Sequence, residues 1–151
     1  MTRTAVLALA LTLAAGATAA QAQAPAPPQV RIRYIVNDVT PAVAFYRDRL
    51  GFKLEMQSGP YFAALSRGGV QLLLSPPKGI GGASQPMPNG ERPAPGGWNR
   101  MVIYVTDLQG QVAELRKEGV HFRNEIVNGP GGSEILLEDP SGNPVELFQP
   151  H

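Results

Sequence analysis

The chain contains no cysteine, so disulfides, thiol catalysis and thiolate metal sites are all excluded. Histidine is almost as scarce, with only His121 and the C-terminal His151, and there is a single tryptophan, Trp98. Neither sign of charge dominates, with 13 Lys and Arg against 12 Asp and Glu. That balance argues against nucleic acid or an anionic membrane surface as partner. The one long uncharged apolar run, Ala5 to Ala17, is short and rich in alanine, which makes it a poor membrane span.

That run has a different reading. Arg3 precedes it, and the triplets Ala20-Gln-Ala22 and Ala22-Gln-Ala24 follow it with small residues at signal-peptidase spacing. Residues 1–24 are therefore expected to be a secretory signal peptide and residues 25–29 a Pro/Ala tether. The mature protein would begin near Gln23 or Pro25 and be periplasmic or secreted, without stable membrane association. Removing Arg3 makes basic and acidic residues equal in number. The remaining residues, 30–151, amount to one domain with enough chain to bury a core.

Within that domain the chain repeats itself. Arg31-Ile-Arg-Tyr-Ile-Val-Asn-Asp38 is answered 69 positions later by Arg100-Met-Val-Ile-Tyr-Val-Thr-Asp107. The register continues past each Asp, pairing Val43-Ala44 with Val112-Ala113 and Arg47 with Arg116. A repeat of this length implies two stacked modules with a functional cleft between them.

Val30 to Val36 alternates and is rich in β-branched residues, as a strand does. Thr40-Pro41 then predicts an N-cap and first turn, Val43, Tyr46 and Leu50 a buried helical stripe, and Gly51 its end. Strands are expected at Lys53 to Gln57, Tyr61 to Ser66 and Val70 to Ser75, with turns at Gly59-Pro60 and Gly68-Gly69. Pro76 to Gly97 has no apolar period and reads as a linker between the repeats, with a lid as the alternative. In the second unit, Arg100 to Val105 is a strand. Asp107 caps a helix that buries Leu108, Val112 and Leu115 and ends at Gly119, and strands follow at His121 to Val127, Glu134 to Glu138 and Val145 to Phe148. The order βαβββ thus occurs twice, as module one (30–75), linker (76–97) and module two (98–150). The expected class is α+β, a cup-shaped mixed sheet with helices outside.

Two phrases carry a family resemblance: Val36-Asn-Asp38 with Ala44-Phe-Tyr-Arg-Asp-Arg-Leu-Gly-Phe52, and Leu137-Glu-Asp-Pro-Ser-Gly-Asn-Pro-Val-Glu-Leu-Phe148. The chain resembles the vicinal oxygen chelate superfamily, which includes glyoxalase I, extradiol dioxygenases, and fosfomycin- and bleomycin-resistance proteins. The resemblance implies paired modules around a divalent metal whose ligand places fall here on Arg31, Gln71, Arg100 and Glu146. Only Glu146 is a good ligand and Gln71 a possible one. A guanidinium stays protonated and has no lone pair to donate, so Arg31 and Arg100 cannot serve. No metal or other cofactor is therefore expected.

On this reading Arg31 and Arg100 point into the cup, either to bind an anion through their planar forks or to neutralise Glu146. Arg33 lies two residues from Arg31 on the same strand face, lining the cup or ending on its rim. Tyr104 shares the face of Arg100, as a stacking group or as core, and Trp98 either flanks the cleft or covers the core edge. Asn128-Gly-Pro-Gly-Gly132 reads as a hairpin loop ahead of an anion nest, and His121 as a surface residue. Two functions follow from different classes. The first is a metal-free binder of a small anionic or aromatic compound, of bleomycin-resistance type. The alternative is a lyase, isomerase or dioxygenase-type enzyme using Glu146 as catalytic residue with or without a metal. A homodimer is a possible partner arrangement.

Overall fold

The computed structural model describes residues 31–79 and 81–151. The expected signal peptide and tether lie outside the described residues. Module one runs β1 (Arg31–Ile35), α1 (Val39–Ala44) with a π-helical continuation Phe45–Arg49, β2 (Lys53–Ser58), β3 (Phe62–Arg67) and β4 (Val70–Ser75). Module two runs β5 (Met101–Tyr104), α2 (Leu108–Lys117), β6 (Val127–Gly129), β7 (Gly132–Glu138) and β8 (Pro144–Pro150). The α+β layout and the two modules are as expected. Instead of one mixed sheet there are two four-stranded mixed sheets with matching orders, β1-β4-β3-β2 and β5-β8-β7-β6, and no strand ladder among the described residues joins them. In each, the first strand runs parallel to the last and the remaining pairs are antiparallel. No described helix is long and apolar enough to cross a membrane.

Local chemistry explains most boundaries. Asp38, rather than Thr40, caps α1: its carboxylate accepts from the Thr40 N–H at 2.8 Å. An aspartate outranks threonine as a cap because its charge also meets the positive end of the helix. Asp107 caps α2 in the expected way, accepting from Gly110 N–H. Val43, Tyr46 and Leu50 form the buried stripe, and so do Leu108, Val112 and Leu115.

The strand expected over His121 to Val127 reduces to one bridge, Phe122 to Leu137, followed by the three-residue β6. The Asn124 side chain takes the Leu136 N–H at 2.8 Å, so a side chain occupies the place of the next ladder bond. Tyr61 falls in the turn before β3, and Arg100 just before β5. Between the modules, the described residues of 76–97 contain only a short 3₁₀ turn, Gly82–Ser84.

One apolar core serves both modules, joining Tyr34, Tyr46, Leu65 and Leu72 to Met101, Ile103, Leu137 and Leu147. Polar ties close one end of the module junction. The Tyr34 hydroxyl donates to Pro144 O and accepts from Met101 N–H, an edge group of β5 that has no strand beside it. Buried Asp139 accepts from Tyr46 Oη at 3.0 Å and from the backbone of its own turn at Ser141 and Asn143. From that turn Asn143 Nδ2 donates to Ile35 O, and Ser141 Oγ accepts from Asn37 N–H. Burial first, and then the neighbouring Asp139 charge, push the Tyr46 phenol well above its ordinary pKa.

Candidate functional site

Strand alternation decides which side chains leave the core. In β1, Ile32 and Tyr34 turn inward, so Arg31 and Arg33 project from the opposite face. Register places Gln71 beside Arg31, and Ser75 four pairs further along β4, beside Ile35. In β5, Met101 and Ile103 are buried, whereas Val102 and Tyr104 face outward. Val102 pairs with Glu146 and Tyr104 with Phe148, which puts Glu146 on that same outward face.

Glu146 is nonetheless buried, at 6% exposure. What covers its charge is Arg100, whose Nε donates to Oε2 at 2.6 Å, with 32% of the arginine side chain still exposed. Arg100 Nη1 also reaches Trp98 O at 3.4 Å. Of the two readings open for these residues, the internal salt bridge holds for Arg100. No carboxylate among the described residues pairs with Arg31 or Arg33. Arg33 instead donates to Ser75 Oγ and lies over the Phe62 ring, 5.9 Å from its centroid.

A second ion pair stands on the module-two face. Glu138 follows Leu136 in β7, and the Phe122–Leu137 bridge sends His121 and Arg123 to the same side. Arg123 Nε donates to Glu138 at 2.6 Å, and His121 Nδ1 lies 3.0 Å from the other carboxylate oxygen. Burial works to raise the Glu138 pKa, but the Arg123 bond and charge, with His121 beside them, outweigh it and hold the carboxyl below its ordinary range. The remaining Arg123 donors bind Gly97 O and Gly142 O. Its guanidinium sits 5.2 Å from the centre of the Trp98 ring.

Trp98 therefore does not cover the core edge. It is 73% exposed, with one side met by Arg123. Tyr104 is likewise not core, at 67% exposure, and stands edge-on to Phe148. Asn128 to Gly132 is the β6–β7 hairpin turn, as read from the sequence. The structure brings Arg31 to Gln71 and Arg100 to Glu146, but no described contact joins the two pairs. None of the four concavities described on the surface is lined by any of these four residues.

Arg123, Glu138 and the role of His121 escaped the sequence reading. Their meeting depends on one isolated bridge that no periodicity announces. The one available signal was His121 and Arg123 two residues apart, a strand-like spacing that puts both on one face.

As ligands for a metal, the residues do not fit. Arg100 is bonded to the one good donor, and among the described residues no group of three or more His, Asp or Glu gathers.

Residues 29–147 match the family described as Glyoxalase/Bleomycin resistance protein/Dioxygenase superfamily. No curated protein matches the chain. Among solved structures, a lactoylglutathione lyase from Agrobacterium tumefaciens shares 21% identity and a TM-score of 0.62, covering 83% of this chain and 96% of that one. An antibiotic binding protein from a Streptomyces species shares 24% identity and a TM-score of 0.60, covering 80% and 93%. A superfamily member from Sphaerobacter thermophilus shares 23% identity and a TM-score of 0.61, covering 79% and 94%. At these identities the likeness speaks for the fold, and together with the repeated βαβββ order and the matched residues it means that the chain belongs to the glyoxalase/bleomycin resistance protein/dioxygenase superfamily.

Proposed function

We propose that this protein binds a small anionic or aromatic compound, without a metal, after export from the cytoplasm. One observation carries the reading: Arg100 is held by Glu146, while no carboxylate among the described residues pairs with Arg31 or Arg33. The Arg100–Glu146 pair is a neutral floor in place of a metal centre. Arg31 and Arg33 supply the fixed positive charge, and their planar forks suit a carboxylate, phosphonate or enolate-like oxygen. Phe62, Tyr104 and Trp98 offer flat apolar surface of the kind that takes an aromatic body. The solved antibiotic binding protein is in keeping with a binding role on this fold. An enzyme using Glu146 as its base would first have to break the Arg100 bond.

The test is a fluorescence titration of Trp98 with matched pairs of aromatic acids and neutral analogues. Acids should be preferred. Arg31→Gln and Arg33→Gln should remove that preference, and Arg100→Lys should weaken binding by loosening the floor. Preference for the neutral compounds, untouched by these substitutions, would mean that the arginines serve the fold alone. Export is checked separately by intact mass, expected to begin near Gln23 or Pro25; a full-length mass in a membrane fraction overturns it.

A further inference from the structure

The two repeats differ most in the turn that joins their last two strands. In module two the turn Asp139–Asn143 reaches across to the end of β1, binding Ile35 O and Asn37 N–H. The corresponding turn in module one is only Gly68-Gly69, closed tightly by a positive φ of 56° at Gly68. Tyr104 and Thr106 are the repeat counterparts of Ile35 and Asn37. Among the described residues no side chain bonds their backbone groups, so this end of the junction has no plug.

The unplugged end is a cleft with two parts. The inner part, about 390 Å³, has apolar walls from Ile32, Phe52 and Val70 of module one and Met101 and Ile103 of module two. The outer part, about 580 Å³, mixes Val105 and Pro150 with the polar side chains of Thr106, Asp107 and Gln111. Arg67 and Tyr104 line both. Arg67 pairs with Val70 in the β3–β4 ladder, two residues from buried Leu65, so it projects to the core side at the core's open end. Its Nη1 donates to Leu50 O at 2.9 Å, and no carboxylate among the described residues pairs with it. The nearby Asp107 carboxylate is turned to the N–H of Gly110 as the α2 cap.

A half-buried guanidinium with free donors, standing where an apolar recess opens to a wider mouth that also carries polar side chains, sorts a ligand by its two ends. We infer that this cleft is a second binding site, for a small monoanion with an apolar body such as an aryl or short alkyl carboxylate. The carboxylate lies on Arg67 and the ring or chain fills the recess behind it. This site shares no arginine with the outward face that carries Arg31, Arg33 and Arg100, although Tyr104 borders both.

The test uses the full chain carrying Arg31→Gln and Arg33→Gln, with naphthoate as probe and naphthalenemethanol as its neutral analogue. Calorimetry should find one naphthoate site per chain in this background, with the alcohol roughly tenfold weaker or worse. Methyl resonances of Ile32, Val70 and Ile103 should shift on binding. Val70→Trp, which fills the recess beside Arg67, should abolish binding, and Arg67→Gln should erase the preference for the acid. Naphthoate binding that disappears with Arg31→Gln and Arg33→Gln, or survives Val70→Trp, or shifts methyls elsewhere, would overturn the inference. So would a self-association that seals the cleft and excludes the probe. The methyl shifts need neither Val70→Trp nor Arg67→Gln, so misfolding of those variants does not blunt the test.

Discussion

Replacing Glu146 by Gln keeps the shape of the side chain and one acceptor, and removes only the charge. The bond from Arg100 then becomes a weaker one to a neutral oxygen, and the guanidinium loses its counter-ion. Breaking a fully buried pair costs about 3–5 kcal/mol. Here the two partners are unequally covered, with 8% of the Glu146 side chain exposed against 32% for Arg100. An arginine one-third exposed turns partly to water, so Glu146→Gln should cost about 1–3 kcal/mol. The reverse change, Arg100→Gln, strands the more deeply buried charge and should cost more, about 3 kcal/mol or above. The double variant should recover part of the sum, because neither charge is then left alone. Urea unfolding at neutral pH, followed by far-UV circular dichroism, measures all four chains, and moderate salt should change the coupling little for so covered a carboxylate. Wild type and Glu146→Gln unfolding together would show that the pair contributes nothing. Arg100→Gln proving milder than Glu146→Gln would refute the argument from burial.

Three further outcomes follow from the same geometry. Tyr46→Phe removes the hydroxyl that donates to buried Asp139 and should cost about 1–2 kcal/mol in thermal or chemical unfolding; an unchanged midpoint would mean the turn's own donors suffice for Asp139. Because the folded Glu138 pKa is depressed, its stabilisation is present above the unfolded carboxylate value and is lost as pH falls through the folded one. Acid titrations of stability should therefore show a component in wild type that Glu138→Gln lacks, and superimposable profiles would deny it. Elemental analysis of protein purified without chelator should find no stoichiometric Zn, Fe, Mn or Ni, whereas one metal per chain that vanishes in Glu146→Ala would reverse the proposed metal-free site.

The fold was largely legible because its evidence is local and repeated. Alternation in Arg31 to Val36 and the helical stripe of Val43, Tyr46 and Leu50 each recur in module two, so each reading was made twice. Where a boundary slipped, a side chain had taken a role that backbone pattern cannot express. Asp38 caps α1 ahead of Thr40, and Asn124 replaces a ladder bond after Phe122. The site was legible only in part for the same reason. Arg100 and Glu146 came together only through the ligand places that the family resemblance implies, whereas Arg123, His121 and Glu138 meet through a single bridge. Trp98 lies outside any strand, and its position over Arg123 has no sequence signature.

The divergence between the repeats explains more about this chain than their likeness does. Both modules hold the same strands and the same capping aspartates, and those shared parts build a common core. The five residues Asp139–Asn143 and the pair Gly68-Gly69 perform the same topological task with different reach. The long turn carries Asp139, Ser141 and Asn143, which satisfy one another and also the far strand, so that end is sealed by hydrogen bonds. The short turn carries no side chain at all, and beside it Arg67 has, among the described residues, only Leu50 O to hold. An unsealed core end is a cost to folding, since Ile32, Val70 and Ile103 border an open recess where a longer turn would have covered them. A bound apolar group would repay that burial, and Arg67 at the rim decides which group it can be. Lengthening the turn is thus the change that should trade a ligand site for stability, and the two properties should move in opposite directions together.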